Sequence, residues 1–298
     1  YRTLFRSQNM SRIEESELII NPDGSIYHLN ILPEDIATTI IMVGDPDRVS
    51  SVSKYFDTIE VKKAKREFVT HTGTLRGKRI SVISTGIGTD NIDIVFNELD
   101  ALVNVDFASR TVKEEFTALD IIRIGTSGSI QTDIPVDAFL ISEYAIGFDS
   151  LLHFYESDHV LDTELSKAFV KQTNWSSKKS DPYVVKGNSD LVDQLASEKT
   201  VTGFTATNVG FYGPQSRKIR LNVQDEQLND KLATFNHNNK KITNLEMETA
   251  GIYGLANLLG HRAVSMNAII ANRPLGQFSN TPKETVDELI QYTLDKLA

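Results

Sequence analysis

The chain has 298 residues, of which 40% are hydrophobic and 24% charged, and its formal net charge is −9 with no cysteine. That length allows one large α/β domain or two ordinary ones. The acidic balance argues against a nucleic-acid surface. The absence of cysteine excludes disulfides, thiolate catalysis and cysteine-ligated zinc or iron–sulfur sites.

No apolar run approaches the ~20 residues that span a bilayer. The first 24 residues, YRTLFRSQNMSRIEESELIINPDG, lack the apolar stretch of a signal peptide, so a cytoplasmic setting without membrane contact is expected. They read as an N-terminal extension, residues 1–24, in which Met10 is a candidate native start. Residues 25–298 read as one domain, because no repeat, low-complexity tract or Gly/Ser/Pro linker interrupts them.

Strand-like runs appear at Thr39–Val43, Arg79–Ser84, Ile121–Ile124, Ala138–Ser142 and Ala263–Ala271. Several are apolar throughout, as strands covered on both faces require. Helical periodicity lies between and after them, over Asn91–Val103, Thr163–Gln172, Ser189–Glu198, Asp225–Phe235, Glu246–Leu259 and Pro282–Leu297. The run Glu246–Leu259 stops at Gly260, a helix-ending residue. This alternation predicts an α/β fold, a mixed sheet wrapped by helices.

The chemistry-bearing residues cluster at the predicted strand ends. After TIIMV comes Gly44-Asp45-Pro46-Asp47-Arg48, where Gly44 admits a close ligand, Pro46 suits a first helical turn and Arg48 projects from it. Ser84-Thr85-Gly86-Ile87-Gly88 lacks the dinucleotide spacing G-x-G-x-x-G. In Ile121–Ile130, IIRIGTSGSI, Gly125 and Gly128 are expected to turn the backbone. Amides would then join the hydroxyls of Thr126 and Ser127 and the cation of Arg123 around a phosphate. The plain alternative is a strand carrying a buried ion pair. Phe211-Tyr212-Gly213-Pro214-Gln215-Ser216-Arg217 offers an aromatic face, an amide and a guanidinium to a carbonyl-bearing heterocycle. Asn244–Thr249, NLEMET, is expected to open a helix with two carboxylates, one of which can bind a vicinal diol beside Met247. The six histidines show no metal spacing, and no G-x-S-x-G elbow is present.

Taken in order, SIYHL (25–29), VGDPDRV (43–49), REF (66–68), STGIG (84–88), RIGTSGSIQ (123–131), FYGPQSR (211–217), NLEMETA (244–250) and IIANR (269–273) resemble the nucleoside phosphorylase-I family, most closely its uridine phosphorylase branch. The resemblance implies an α/β fold of a single domain, with a central, partly barrel-like mixed β-sheet flanked by helices, and reversible phosphorolysis of uridine. It also implies roles. Phosphate is held by Gly44, Arg48, Arg123 and Thr126, and by Arg66 of a neighbouring subunit. Ribose is held by Met247 and Glu248, with the neighbour's His28 over it. The base is read by Gln215 and Arg217 against Phe211, and Arg273 buttresses the base-binding arginine. Arg123, Arg217 and Glu248 carry catalysis.

No cofactor beyond co-substrate phosphate is implied. Some members hold a monovalent cation, such as potassium, near the positions of Glu67 and Ile87. Here Asn91 replaces the serine that helps to bind it, so no resident metal is assigned. A homodimer is the implied minimal unit, with a hexamer as the other assembly. Purine nucleoside phosphorolysis is one alternative, supported by METAGIY (247–253) but opposed by the lack of an acid in IIANRPLGQ (269–277). A nucleosidase and a non-catalytic nucleoside-binding protein are the others.

Overall fold

The computed structural model describes residues 11–298, so the candidate start at Met10 lies outside them. The strands are β1 (Thr39–Val43), β2 (Thr58–Lys65), β3 (Phe68–Leu75), β4 (Lys78–Ser84), β5 (Val105–Asp106), β6 (Thr111–Val112), β7 (Asp120–Ser129), β8 (Phe139–Gly147), β9 (Tyr183–Lys186), β10 (Thr200–Thr207), β11 (Asn244–Glu246), β12 (Arg262–Asn272) and β13 (Gln277–Phe278). The α-helices are α1 (Pro46–Ser53), α2 (Thr89–Asn104), α3 (Thr163–Thr173), α4 (Ser189–Leu195), α5 (Leu228–Thr234), α6 (Thr249–Leu259) and α7 (Pro282–Leu297).

Eleven strands form one mixed sheet in which β12 pairs with both β7 and β8, and β11 with both β7 and β10. Since β8 also pairs with β10, the strands β7, β12, β8, β10 and β11 close into a ring. The rest of the sheet continues outward through β1, β4, β3 and β2. The sheet is therefore partly a barrel, as expected, and helices cover it. Two large apolar clusters lie on its opposite sides, one including Met42, Phe96 and Tyr253, the other Val43, Val264 and Leu294. Their walls include the apolar strand β1 and the strand β12, buried from Ala263 to Ile269, which need cover on both faces. No helix among the described residues is long and apolar enough to cross a membrane.

Four sequence expectations are corrected. Gly125 and Gly128 do not turn the chain: β7 runs through them to Ser129 and stays paired with β12, across a register shift between Ile269 and Ala271. The NLEMET segment does not begin a helix. Asn244–Glu246 is a strand, and α6 starts only at Thr249, with Glu248 as its N-cap. The helix expected over Asp225–Phe235 is shorter, Leu228–Thr234, and that over Ser189–Glu198 ends at Leu195. The β2–β3 hairpin and the strands β9 and β10 were not among the sequence-predicted elements. β2 is exposed along most of its length, so it carries almost no apolar signal.

Candidate functional site

One cavity of about 690 Å³ gathers most of the singled-out residues: Gly44, Arg48, Arg123, Thr126, Phe211, Gln215, Arg217, Met247 and Glu248 all line it. It sits where the ends of β1, β7 and β11 meet the N-termini of α1 and α6, the usual place for ligands in sheets of this kind.

At the β1 end, Asp45 caps α1 by accepting the amide of Asp47 at 2.9 Å, and Pro46 fills the first turn. That geometry brings Arg48 back over β7, where Nη1 donates to the carbonyl of Ile124 at 3.4 Å. Arg48 forms no salt bridge among the described residues. Burial first, then repulsion from Arg123, holds its pKa below the ordinary guanidinium value. A cation disfavoured in this way is relieved by an arriving anion.

Arg123 lies in the middle of β7 and is buried. Its guanidinium folds back along its own strand over residue 125, and a Cβ built on Gly125 would overlap its Cζ and both terminal nitrogens. Gly125 is thus needed for close approach and not for a turn. The guanidinium donates to Glu248 Oε2 at 2.8 Å and lies 3.4 Å from Glu246 Oε2. Ser265 Oγ and Asn267 Oδ1, both on β12, accept at 3.4 Å from its Nη1. Burial opposes the charge of Arg123, but Glu246 and Glu248 together outweigh it and raise its pKa.

Glu246 is the functional residue that sequence reasoning missed. It accepts from Thr207 Oγ1 at 2.5 Å, from the amide of Glu248 at 2.8 Å and from the amide of Thr249 at 2.9 Å. It therefore caps the start of α6 and supplies Arg123 with a counter-ion. Burial dominates its titration and raises its pKa, against the opposing pull of Arg123. Ser265 and Asn267 were legible in principle, since polar residues two apart in the apolar run AVSMNAIIA share one face.

Thr126 and Ser127 both line the cavity, and Ser127 Oγ also accepts from Asn244 Nδ2 at 3.0 Å. Glu248 Oε1 accepts the amide of Gly88 at 3.0 Å. That contact depends on the left-handed φ of 72° at Gly86 and 96° at Gly88, which carry the chain into α2. A carboxylate offers about four lone-pair sites. With Gly88 and Arg123 occupying two, Glu248 can still accept both hydroxyls of a vicinal diol.

At the other end of the cavity Arg217 donates to Gln215 Oε1 at 2.8 Å and to the carbonyl of Phe211 at 2.6 Å. Its guanidinium stacks 3.7 Å from the Phe211 ring centroid, over one face of the ring. Burial, then the charge of Arg273, lowers the pKa of Arg217. Arg273 donates to the carbonyl of Gln215 at 3.2 Å, so it buttresses the base loop through its backbone and not through the Arg217 side chain. Nη1 of Arg273 is buried without a hydrogen-bond partner among the described residues.

Arg66 and His28 are not brought into this cavity. Arg66 sits exposed in the β2–β3 turn with φ 54°. His28 Nδ1 lies 2.6 Å from Glu98 Oε1, and Glu98 also accepts the amides of His28 and Leu29. Glu67 and Ile87 line the cavity rim, where Asn91 Nδ2 donates to Glu67 Oε1 at 3.2 Å. This presents a donor to the carboxylate where a cation would need oxygen, so the residues do not fit a resident metal.

The model of the phosphorylase superfamily matches residues 38–297. The chain is 29% identical to a uridine phosphorylase of Thermococcus kodakarensis, over 86% of this chain and 80% of the relative. It is 28% identical to a DeoD-type purine nucleoside phosphorylase of Myxococcus xanthus, over 90% of this chain and 95% of the relative. Its structure superposes on the nucleoside phosphorylase of Trypanosoma brucei, described as showing uridine phosphorylase activity, with TM-score 0.84 and 29% identity, over 94% and 99% of the two chains. The matched span takes in every strand of the ring and every residue lining the cavity. On fold, cavity and sequence together, the chain belongs to the phosphorylase superfamily and is an enzyme of the pentosyltransferase class.

Proposed function

We propose that this enzyme cleaves pyrimidine ribonucleosides with inorganic phosphate, giving the free base and ribose 1-phosphate. The observation that carries the reading is the pairing within one cavity of a half-buried Arg48, which forms no salt bridge among the described residues, with Arg123, next to a carboxylate that keeps two acceptor positions for a diol.

In this reading phosphate sits between Arg48, Arg123, Thr126 and the Gly44 turn, and Arg66 is contributed by a second subunit of a homodimer. Met247 and Glu248 hold the ribose, with the neighbour's His28 above it. Breaking the C1′–N bond builds positive charge on the sugar and negative charge on the departing base. Phosphate stabilises the first, and Gln215 and Arg217 stabilise the second. Alignment by Glu248 removes an entropic cost. Arg123 stays paired with Glu246 throughout, so a charged strand interior is never left bare. No metal ion takes part in any step.

The base end favours a pyrimidine. The carboxylates of the cavity wall, Asp45, Glu67, Glu246 and Glu248, belong to its phosphate and sugar end and rim. Gln215 and Arg217 line the other end, with Arg273 on the backbone carbonyl of Gln215. A spectrophotometric comparison of uridine, thymidine and inosine, each with and without phosphate, tests the reading. Phosphate-dependent cleavage of uridine is the expected result. Inosine cleavage alone, or cleavage indifferent to phosphate, refutes it.

A further inference from the structure

The link Thr85–Gly88, which joins β4 to α2, touches both halves of the site. On one side its amides reach the end of β1. Thr85 N–H donates to the carbonyl of Val43 at 2.8 Å, and Gly86 N–H to that of Gly44 at 3.0 Å. On the other side the amide of Gly88 donates to Glu248 Oε1 at 3.0 Å. The link therefore places the Gly44 backbone and the Glu248 carboxylate together.

Two side chains at the cavity rim, Glu67 and Asn91, hold the link itself. Asn91 is the third residue of α2, and its Nδ2 donates to Glu67 Oε1 at 3.2 Å. Glu67 is anchored in turn, because its backbone carbonyl accepts from Oγ of Ser84, the last residue of β4, at 2.6 Å. Both side chains pack directly on Gly86. A Cβ built there would stand 2.5 Å from Asn91 Nδ2 and 2.9 Å from Glu67 Cγ, closer than real contacts allow. The Glu67–Asn91 bond thus clamps the link at a residue with left-handed φ of 72°.

We propose that Asn91 is a positioning residue for both substrates. Its amide, bonded to Glu67, fixes the Gly86–Gly88 segment, and through it the Gly44 turn and the Glu248 carboxylate. Assigning phosphate and ribose to those two places rests on the proposed reaction; the clamp does not. A hydrogen bond to a charged acceptor is among the strong ones, so one amide suffices to hold Glu67. It does by hydrogen bonding what a cation beside that carboxylate would do by charge. The enzyme then needs no added monovalent cation.

The test uses the full-length enzyme and its Asn91→Leu and Asn91→Asp variants, in potassium chloride and in tetramethylammonium chloride. Amide hydrogen exchange is read first, without substrate. Asn91→Leu is expected to speed exchange at Gly86 and Gly88 about tenfold, the loss of one hydrogen bond to a charged group. Exchange at Ile121–Ile124, within β7, stays unchanged. In kinetics the KM for uridine and the KM for phosphate rise together, about tenfold each. A residue contacting one substrate would move one KM alone.

Asn91→Asp sets two carboxylates side by side, and like charges repel. It matches Asn91→Leu in tetramethylammonium and recovers towards native values in potassium, for which two carboxylates supply oxygen ligands. The native enzyme behaves alike in both salts. Four results overturn the proposal: unchanged exchange in Asn91→Leu, a rise in only one KM, an Asn91→Asp enzyme indifferent to salt, or a native enzyme that requires potassium. Exchange is read without turnover, so failure to cleave uridine refutes the proposed reaction while the clamp is still judged by exchange.

Discussion

Gly125→Ala tests the central arrangement most directly, because it adds one methyl group without touching any charged residue. The backbone at 125 is ordinary β-strand, so alanine fits the conformation. Its Cβ, however, takes the space of the Arg123 guanidinium. The guanidinium must leave its 2.8 Å contact with Glu248 and its 3.4 Å approach to Glu246. Removing one partner from a buried ion pair costs about 3–5 kcal/mol. The entropic benefit of replacing glycine returns only about 0.4–1 kcal/mol. A net destabilisation of about 2–4 kcal/mol follows, a large part of a typical total of about 5–15 kcal/mol. Catalysis loses a positioned charge, about 3–4 kcal/mol or a 10²–10³-fold fall in turnover.

The assays are urea unfolding and kcat/KM for phosphate. The diagnostic step is a double-mutant cycle. In an Arg123→Ala background the clash no longer exists, so adding Gly125→Ala costs almost nothing. An equal destabilisation by Gly125→Ala in both backgrounds refutes the close-approach argument. Gly128→Ala is the in-strand control, since its Cβ meets its nearest atom, Arg273 Cγ, at an ordinary 3.7 Å.

Arg123→Ala abolishes phosphorolysis while the apolar core keeps the fold; near-normal turnover removes the phosphate site assignment. Glu248→Gln raises KM for a ribonucleoside about tenfold more than for a 2′,3′-dideoxynucleoside, because only the ribonucleoside also loses contacts to the diol; equal effects on both sugars contradict that role. Thr207→Val removes the hydroxyl bond to Glu246 Oε1, which keeps only the amide of Thr249 at 3.1 Å, and strips the amide of Ala250 of Thr207 Oγ1, its acceptor at 2.9 Å, and lowers unfolding stability by about 1–3 kcal/mol; an unchanged urea midpoint opposes this. The hydrogen bond from Lys231, 2.6 Å away, holds the Asp225 carboxyl below its ordinary pKa. Its contribution to stability is therefore present above about pH 4, the unfolded value, and is lost as pH falls through the folded one. Asp225→Asn should flatten the acid limb of a Tm–pH profile, and an unaltered limb argues against the pair.

The architecture was legible wherever apolar pattern reflects burial. The runs TIIMV, RISVIS and AVSMNAIIA are strands, and Pro282–Leu297 is a helix with the bounds its periodicity indicates. The exposed β2 and the three-residue β11 were illegible, because neither leaves a periodic signal. Gly125 shows the same limit in the site. Local sequence reads a glycine after an apolar run as a turn, whereas its function is to leave room for a side chain two residues earlier.

The sequence alone determined the kinds of groups available: several arginines in an acidic chain, a carboxylate beside methionine, and an amide paired with a guanidinium on a turn-rich loop. Tertiary structure decided which of them act together. Closure of the barrel sets β7 against β12 and β11, which are more than 110 residues distant in the chain, and this places Glu246, Ser265 and Asn267 around one guanidinium. Electrostatic partnership depends on distance and burial. Both are properties of strand pairing across the fold, and local residue order does not encode them.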